Sequence, residues 1–361
     1  MKLKWLLGLM MLTVTSSEPA FAEELPLEHF FKNSQFAGFQ VSPNGKELAA
    51  LAPVNGRMNI VVLDLATRKP RLITGEDEQD VSGFMWATNE RILCYMDKDG
   101  SESFGIFAVN NDGSEPEVLV EPLEAQIRSG RARIQMVSVI DKLENDPDWV
   151  LVSSNERRAA YPEVFRLNIH NGRTRIVQRN PGDVVGWFTD WNGNVVGAVF
   201  QDELNTGFKL LRDPEEGEWE VITEGRFDEP GFSPAGFRSD GETGWVTSNV
   251  TPDGTFRDKA ALYEYDFKNR KFGKLIYEHD TVDCCNVIMN KKKRDMIGLS
   301  FAVGEPEIMY TDGRWKQIMD GIDSALPHTL NVVSSLDDEE TIAVVTASSS
   351  TQPTKYYLYD F

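Results

Sequence analysis

The feature of this sequence that most constrains its fold is an internal repeat that runs from Phe39 to the last residue. In each repeat the third apolar segment ends in Asp or Asn, and these residues stand about 49 positions apart. They are Asp64, Asn110, Asn168, Asp213, Asp266, Asp312 and Asp360. A period of roughly 40–50 residues is typical of propeller blades, so the seven marks predict about seven blades.

Each repeat consists of four short apolar segments separated by polar turns. The clearest turn is Pro43-Asn44-Gly45, where proline fixes φ and glycine tolerates a positive φ, as a hairpin requires. The second half of the repeat pairs two further strands, as in residues 60–64 and 70–74. Helical periodicity is not evident, and only residues 125–129 and 322–326 are expected to form single turns.

The predicted fold class is all-β, a propeller of about seven four-stranded blades of which the last is incomplete. Val195–Phe200 is apolar on both faces, as a strand packed between neighbouring sheets must be. An open β-sandwich is the competing fold, but sandwiches do not repeat a four-strand unit at a fixed period. Leu25–Phe31 is a candidate for the missing outer strand of blade 7, although Pro26 restricts it to an edge.

The amino-terminal residues read as a secretory signal. Lys2 and Lys4 precede an apolar run that is too short to cross a bilayer, and Ala20-Phe21-Ala22 supplies small residues for cleavage. We therefore expect a signal peptide over residues 1–22 and a propeller domain over residues 23–361, located in the periplasm or secreted. An uncleaved membrane anchor is the alternative.

Charge excludes one class of partner. The chain has 57 acidic and 37 basic residues, a formal charge of −20. Nucleic acids and anionic membranes are bound through clustered Lys and Arg, so we expect neither as a partner. The basic run Lys291–Arg294 lies between two apolar strands and is interpreted as a hairpin turn rather than a recognition patch.

Cysteine and histidine are too sparse for a metal centre or a disulfide framework. Cys94, Cys284 and Cys285 are predicted to be buried free thiols, because neighbouring strand residues point to opposite faces. The four histidines stand singly, without the spacing of metal ligands. We expect no metal and no cofactor. The acidic pairs Glu215-Glu216 and Asp337-Asp338 fall in predicted turns, where a solvated role is favoured over acid–base catalysis.

The turn Ser42-Pro43-Asn44-Gly45-Lys46 resembles the propeller repeats of TolB-type periplasmic proteins and of the prolyl oligopeptidase (S9) serine peptidases. The opening Leu25–Phe31, running into Phe39–Leu51, is more similar to bacterial S9 peptidases of the acylaminoacyl-peptidase or dipeptidyl-aminopeptidase sort. In that family an α/β-hydrolase domain with a Ser, an Asp and a His follows the propeller. The resemblance implies that the propeller screens the catalytic cavity and admits small peptides.

The catalytic part of that family has no counterpart in these 361 residues. A nucleophile elbow needs Gly-x-Ser-x-Gly on a strand-to-helix turn, and the two nearest strings, at residues 100–105 and 231–236, have the wrong spacing. We therefore expect no catalytic residue in this chain. Any peptidase activity would require a separate hydrolase domain as partner.

The connections between the second and third strands of the blades all emerge on one side of a propeller, which makes them a candidate binding face. Residues 97–103, 153–163 and 247–260 form the richest of these loops. Within the second, Glu156, Arg157 and Arg158 form the candidate binding site, because guanidinium groups pair carboxylates bidentately. A solvated loop tip is the alternative interpretation.

Two functions follow from the sequence. The first is the non-catalytic, substrate-gating propeller of an exported S9-type peptidase, which would contact peptides or a hydrolase partner. The second is a stand-alone periplasmic propeller of the TolB type that binds proteins.

Overall fold

The computed structural model describes residues 26, 34–97, 104–130, 135–202, 205–213, 217–226 and 228–361. From residue 35 onward, consecutive strands form seven antiparallel sheets, five with four strands and two with three. Each sheet is made of strands that follow one another in sequence, and the seven sheets are the blades of a propeller. The predicted all-β, seven-bladed fold is confirmed.

The blades account for all the described strands. Blade 1 contains β1 (Ala37–Val41), β2 (Glu47–Val54), β3 (Arg57–Asp64) and β4 (Pro70–Leu72). Blade 2 contains β5 (Gly83–Trp86), β6 (Arg91–Met96), β7 (Gly105–Asn110) and β8 (Glu117–Val120), and helix α1 (Leu123–Arg128) follows it. Blade 3 contains β9 (Val137–Asp141), β10 (Trp149–Ser154), β11 (Glu163–Asn168) and β12 (Thr174–Gln178). Blade 4 contains β13 (Val184–Thr189), β14 (Val195–Asp202), β15 (Asn205–Asp213) and β16 (Glu218–Arg226).

The remaining three blades differ in their outer edges. Blade 5 contains β17 (Phe232–Phe237), β18 (Thr243–Val250), β19 (Phe256–Asp266) and β20 (Lys271–Tyr277). Blade 6 contains β21 (Asn286–Asn290), β22 (Asp295–Val303) and β23 (Glu305–Tyr310), followed by helix α2 (Gly313–Ala325). Blade 7 contains β24 (Leu330–Leu336), β25 (Ile342–Ser349) and β26 (Gln352–Asp360). Among the described residues the last blade is a three-stranded sheet, as predicted.

Hydrophobic clusters lie between the blades. The cluster shared by the first two blades includes Ala49 and Ile60 of blade 1 together with Trp86 and Ile92 of blade 2, all nearly inaccessible to solvent. Similar clusters join blades 2 and 3, blades 4 and 5, and blades 5 and 6. Because each blade buries its faces against its neighbours, the apolar strands seen in the sequence stabilise a ring rather than separate sheets.

Contacts between blade 7 and blade 1 close the ring. The backbone N–H of Val41 donates to Oγ of Ser335 at 2.9 Å, and the N–H of Asp338 donates to the carbonyl oxygen of Pro43 at 2.8 Å. The rings of Phe39 and Tyr356 lie 4.7 Å apart, centre to centre. Blades 7 and 1 are therefore joined by side-chain contacts and by a backbone hydrogen bond between their hairpins.

Helix α2 corrects one sequence-based prediction. A fourth strand was expected in blade 6, with at most a single turn at residues 322–326, and both expectations are wrong. The carboxylate of Asp312 accepts the N–H of Trp315 at 3.0 Å and caps the helix. Trp315, Met319 and Ile322 recur at helical spacing and are buried, so an amphipathic helix follows β23 and packs against Tyr310 and against blade 7.

The cysteines also depart in part from expectation. The structure places the sulfur atoms of Cys284 and Cys285 against each other, whereas the sequence predicted two thiols that point to opposite faces. Both residues lie in the connection before β21, and the alternation of side chains along a strand therefore does not apply to them. Cys94 is a buried free thiol as predicted, and burial raises its pKa to about 12.

Some predictions concern residues outside the described part of the chain. These are the signal peptide over residues 1–22, most of the Leu25–Phe31 segment, residues 98–103 of one loop, and the pair Glu215-Glu216. Neither of the two helices that the structure describes has the length and hydrophobicity of a bilayer-spanning helix.

One close approach between neighbouring strands of blade 5 gives a testable consequence. A Cβ at Gly244 would overlap the carbonyl oxygen of Gly236 and would lie 3.0 Å from Cα of Phe237. Since backbone would have to move, we expect Gly244→Ala to lower the free energy of unfolding by roughly 1–3 kcal/mol. Gly231→Ala in the same blade is the control, because nothing lies within 4 Å of its Cβ position. Denaturant unfolding compares the two variants, and equal losses would contradict the prediction.

Candidate functional site at the mouth of the central channel

The hairpins between the first and second strands of the blades surround one mouth of the central channel. Most of these hairpins are short, such as residues 42–46 in blade 1 and 291–294 in blade 6. The longest joins β9 to β10 in blade 3 and comprises residues 142–148. Its additional residues allow this hairpin to extend over the channel.

Buried contacts fix the start of the blade 3 hairpin against blade 4. Leu143 is 5% exposed, and a Cβ at Gly193 of blade 4 would overlap its side chain. The carboxylate of Asp141 accepts the backbone N–H of Leu143 at 2.8 Å and the hydroxyl of Thr189 at 3.0 Å. These interactions hold the start of the hairpin in place beside the next residue, Glu144.

An ion-pair bridge crosses the channel mouth. Nζ of Lys291 in blade 6 lies 2.5 Å from Oε1 of Glu144 in blade 3 and 2.6 Å from Oδ1 of Asp338 in blade 7. Partial burial opposes the charge of Lys291, but its hydrogen bonds to Asp338 and Glu144 outweigh that cost and raise its pKa. Because blades 3 and 6 are not neighbours, this bridge spans the opening rather than joining adjacent sheets.

The bridge separates two cavities that share Lys142, Glu144 and Lys291. The larger has a volume of about 590 Å³ and is enclosed by blades 2 to 6, and the smaller, of about 380 Å³, is enclosed mainly by blades 1, 2, 3 and 7. Apolar side chains form much of the larger cavity's wall. They are Met85, Val139, Ile140, Phe188, Trp191, Ala235, Phe237 and Met289.

Lys142, like Lys291, lines both cavities. Its side chain is open to solvent at the mouth, yet the surrounding channel walls desolvate the ammonium group and lower its pKa. The positive charge of Lys291 lowers the pKa further, and Asp338 and Glu144 oppose this shift. An anion bound here would therefore relieve an unfavourable environment.

The sequence-predicted residues Glu156 and Arg157 lie on the opposite face, in the connection between β10 and β11. Oε2 of Glu156 accepts the hydroxyl of Thr174 at 3.3 Å. Nε of Arg157 lies 3.6 Å from Oε2 of Glu163, whose side chain is only 2% exposed. One role of Arg157 is thus to balance the charge of a buried carboxylate.

The third predicted residue, Arg158, is held within the same connection. Its Nη1 donates to the carbonyl oxygen of Asn180 at 3.1 Å, and its guanidinium lies 5.9 Å from the ring centre of Tyr161. The structure brings Arg157 and Arg158 to one loop but gives them different contacts. A ligand on this face would meet Arg158 in a preorganised orientation.

The acidic pair Asp337-Asp338 lies in the hairpin between β24 and β25. Asp337 accepts the N–H groups of Thr341 and Ile342 and shapes the blade 7 hairpin, which agrees with the predicted turn. No group of three or more His, Cys, Asp or Glu side chains in the described ranges is arranged to hold a metal ion.

The sequence of this chain is similar to those of known peptidases. No family model matches it. Dipeptidyl aminopeptidase BIII of Pseudoxanthomonas mexicana is 23% identical over 346 residues, which cover 94% of this chain and 47% of that protein. The chain is a homologue of the S9-type peptidases in their propeller part. It spans about half the length of the curated relatives that it matches.

Solved structures of two peptidases show the same fold. A prolyl endopeptidase structure matches 91% of this chain over 48% of its own length, with 10% identity and a TM-score of 0.57. The β-propeller domain of the Trilobed protease from Pyrococcus furiosus matches 91% of this chain over 94% of its own length, with 13% identity and a TM-score of 0.51. The second comparison is between two propellers of nearly equal extent.

Proposed function

We propose that this chain is the substrate-gating propeller of an exported S9-type serine peptidase whose catalytic residues lie outside these 361 residues. The observation that carries the proposal is the match of 94% of this chain to only 47% of a dipeptidyl aminopeptidase. The lack of a Gly-x-Ser-x-Gly string in these 361 residues supports it.

The channel mouth offers a physical basis for gating. The bridge of Glu144, Lys291 and Asp338 divides the opening into cavities of about 590 and 380 Å³. Spaces of this size accommodate a short extended peptide and exclude a folded domain. Breaking the exposed ion pairs costs little, since such pairs contribute about 0–1 kcal/mol, so the bridge can yield to an entering peptide.

A test of catalysis uses the purified chain, a serine-directed fluorophosphonate, and a panel of aminoacyl and dipeptidyl chromogenic substrates. We expect neither labelling nor turnover, because the chain contains no nucleophile elbow. Labelling of a serine in this chain would overturn the proposal. A cooperative unfolding transition measured on the same preparation shows that the chain is folded.

A second measurement separates gating from stand-alone protein binding. The tagged chain is incubated with an extract of its source organism that has been treated with the fluorophosphonate, and retained proteins are inspected for label. A labelled serine hydrolase supports a peptidase partner, whereas retention of unlabelled proteins alone favours the TolB-type alternative.

Variants of the predicted binding loop accompany this measurement. Arg158→Gln removes the guanidinium while leaving a polar group near Asn180. Arg157→Ala is combined with Glu163→Gln, so that no buried carboxylate is left without its counter-charge. If the loop binds the partner, both variants should retain less hydrolase than the wild type. Unchanged retention by two folded variants would exclude this loop as the binding site.

A further inference from the structure

The larger cavity at the channel mouth has the attributes of a ligand site. Its volume of about 590 Å³ lies within the range of roughly 300–1,000 Å³ that is usual for small-molecule pockets. Phe188 and Phe237 pack edge to face in its wall, with ring centres 6.0 Å apart. Trp191 is fixed beside them, because its Nε1–H donates to the carbonyl oxygen of Phe237 at 3.1 Å. The wall is therefore rigid and aromatic.

Two basic side chains, Lys142 and Arg294, line this cavity. Within the described part of the chain neither forms an ion pair, although acidic residues outnumber basic ones by 57 to 37 overall. Lys291 beside them is different, because Glu144 and Asp338 already neutralise it. Lys142 and Arg294 are therefore two cations at one cavity that no carboxylate of the described residues approaches to ion-pair distance.

The carboxylates that share the cavity are engaged elsewhere. Asp141 accepts the N–H of Leu143, and Asp190 accepts the N–H groups of Asn192 and Asn194 at 2.8 Å each. Because these acceptors hold the hairpin backbone, they are not available to Lys142 and Arg294 without disrupting the turns. The cavity thus presents two cations outside ion pairs, next to an apolar aromatic wall and to carboxylates that already hold the hairpin turns or Lys291.

We infer that this cavity binds the carboxyl-terminal carboxylate of a short peptide with an apolar last side chain, with Lys142 and Arg294 as the pairing cations. The guanidinium of Arg294 suits a planar carboxylate, and the aromatic wall buries the adjacent side chain. Free phosphate would pair with the two cations but would make no apolar contact with the aromatic wall. The choice of a peptide rests on the proposed function, whereas the site itself rests on the cavity.

The test measures binding of an N-acetylated tripeptide that ends in phenylalanine, prepared as the free acid and as the carboxyl-terminal amide. Titration calorimetry gives the affinity, and the emission of Trp191, compared with a Trp191→Phe variant, reports whether binding occurs in this cavity. We expect the acid to bind about tenfold or more tightly than the amide, as is typical for a charge-assisted hydrogen bond. Inorganic phosphate is the third probe.

Lys142→Met and Arg294→Gln should each abolish most of the preference for the acid, while Lys142→Arg retains it because the charge is kept. Lys292→Met is the matched control, since it removes a charge from the same blade 6 hairpin outside the cavity. A merely structural role would weaken both peptides equally and would leave their ratio unchanged.

Three outcomes would overturn the inference. They are equal affinity for acid and amide, an acid preference that survives both cavity variants, and phosphate binding as tight as that of the acid. None of these bears on fluorophosphonate labelling, so failure of this site and failure of the proposed function are distinguishable.

Discussion

Asp183→Ala should lower the free energy of unfolding by about 2–3 kcal/mol, because it leaves the buried ammonium group of Lys209 without its counter-charge. The side chain of Lys209 is 6% exposed, and its Nζ lies 2.5 Å from Oδ1 of Asp183. The faces of Phe200 and Trp219 are the other near surfaces, at 5.0 and 5.8 Å from Nζ. Because Asp183 is itself 37% exposed, the expected loss is below that of a fully buried pair.

Lys209→Met provides the control for this prediction. It removes the charge and keeps an unbranched apolar side chain between the two rings, so we expect a change within about 1 kcal/mol. The double variant should resemble Lys209→Met rather than Asp183→Ala. Urea unfolding followed by tryptophan fluorescence measures all three. If Asp183→Ala and Lys209→Met prove equally destabilising, the loss comes from packing and not from an unpaired charge.

The fold could be predicted from the sequence because each blade is specified by short-range features, namely its turns and its apolar strands. At the first hairpin Gly45 has a φ of +70°, and its N–H donates to the carbonyl oxygen of Ser42 at 2.9 Å, as the Pro-Asn-Gly turn predicted. The repeat then fixed the number of blades. The resemblance to S9 peptidases, stated from the turn and the opening segment, is confirmed by the curated relatives.

Helix α2 was missed because its first residues carry the end-of-strand signal of every other repeat. Asp312 follows β23 at the repeat position where Asp266 and Asp360 end their strands, and its side chain caps a helix. The glycines at positions 313 and 321 lower the helical propensity of this segment. Burial of one apolar face outweighs that propensity, and this packing is not visible in a single sequence.

The cavity cations were overlooked for a related reason. The basic run Lys291–Arg294 was recognised as a hairpin, which the structure confirms, but Lys142 was not singled out. Their proximity depends on which hairpin extends across the channel, and the repeat period does not reveal this. One signal was present in the sequence. The acidic run at residues 337–340 occupies the same position in the next repeat and pairs with the basic run.

This pairing makes Glu340 the second residue whose loss should have a large effect. Glu340 is 6% exposed and accepts the side-chain amide of Asn290 at 2.6 Å through Oε1, while Oε2 pairs with Arg314 of helix α2. It therefore links blade 7, blade 6 and the helix. We expect Glu340→Ala to lower the free energy of unfolding by about 2–3 kcal/mol, since the buried amide of Asn290 loses its acceptor.

Two variants distinguish this role from a general effect of charge. Glu340→Gln keeps an acceptor for Asn290 and should recover about half of the loss, while Glu339→Ala, whose native side chain is 78% exposed, should change stability by no more than about 0.5 kcal/mol. Urea unfolding measures all three, and equal losses at positions 339 and 340 would contradict the prediction.

Because Lys291 belongs to the same pair of hairpins, Glu340→Ala should also weaken binding of the acid peptide, whereas Glu339→Ala should not. Stability of the seam between blades 6 and 7 would then be coupled to the shape of the channel mouth.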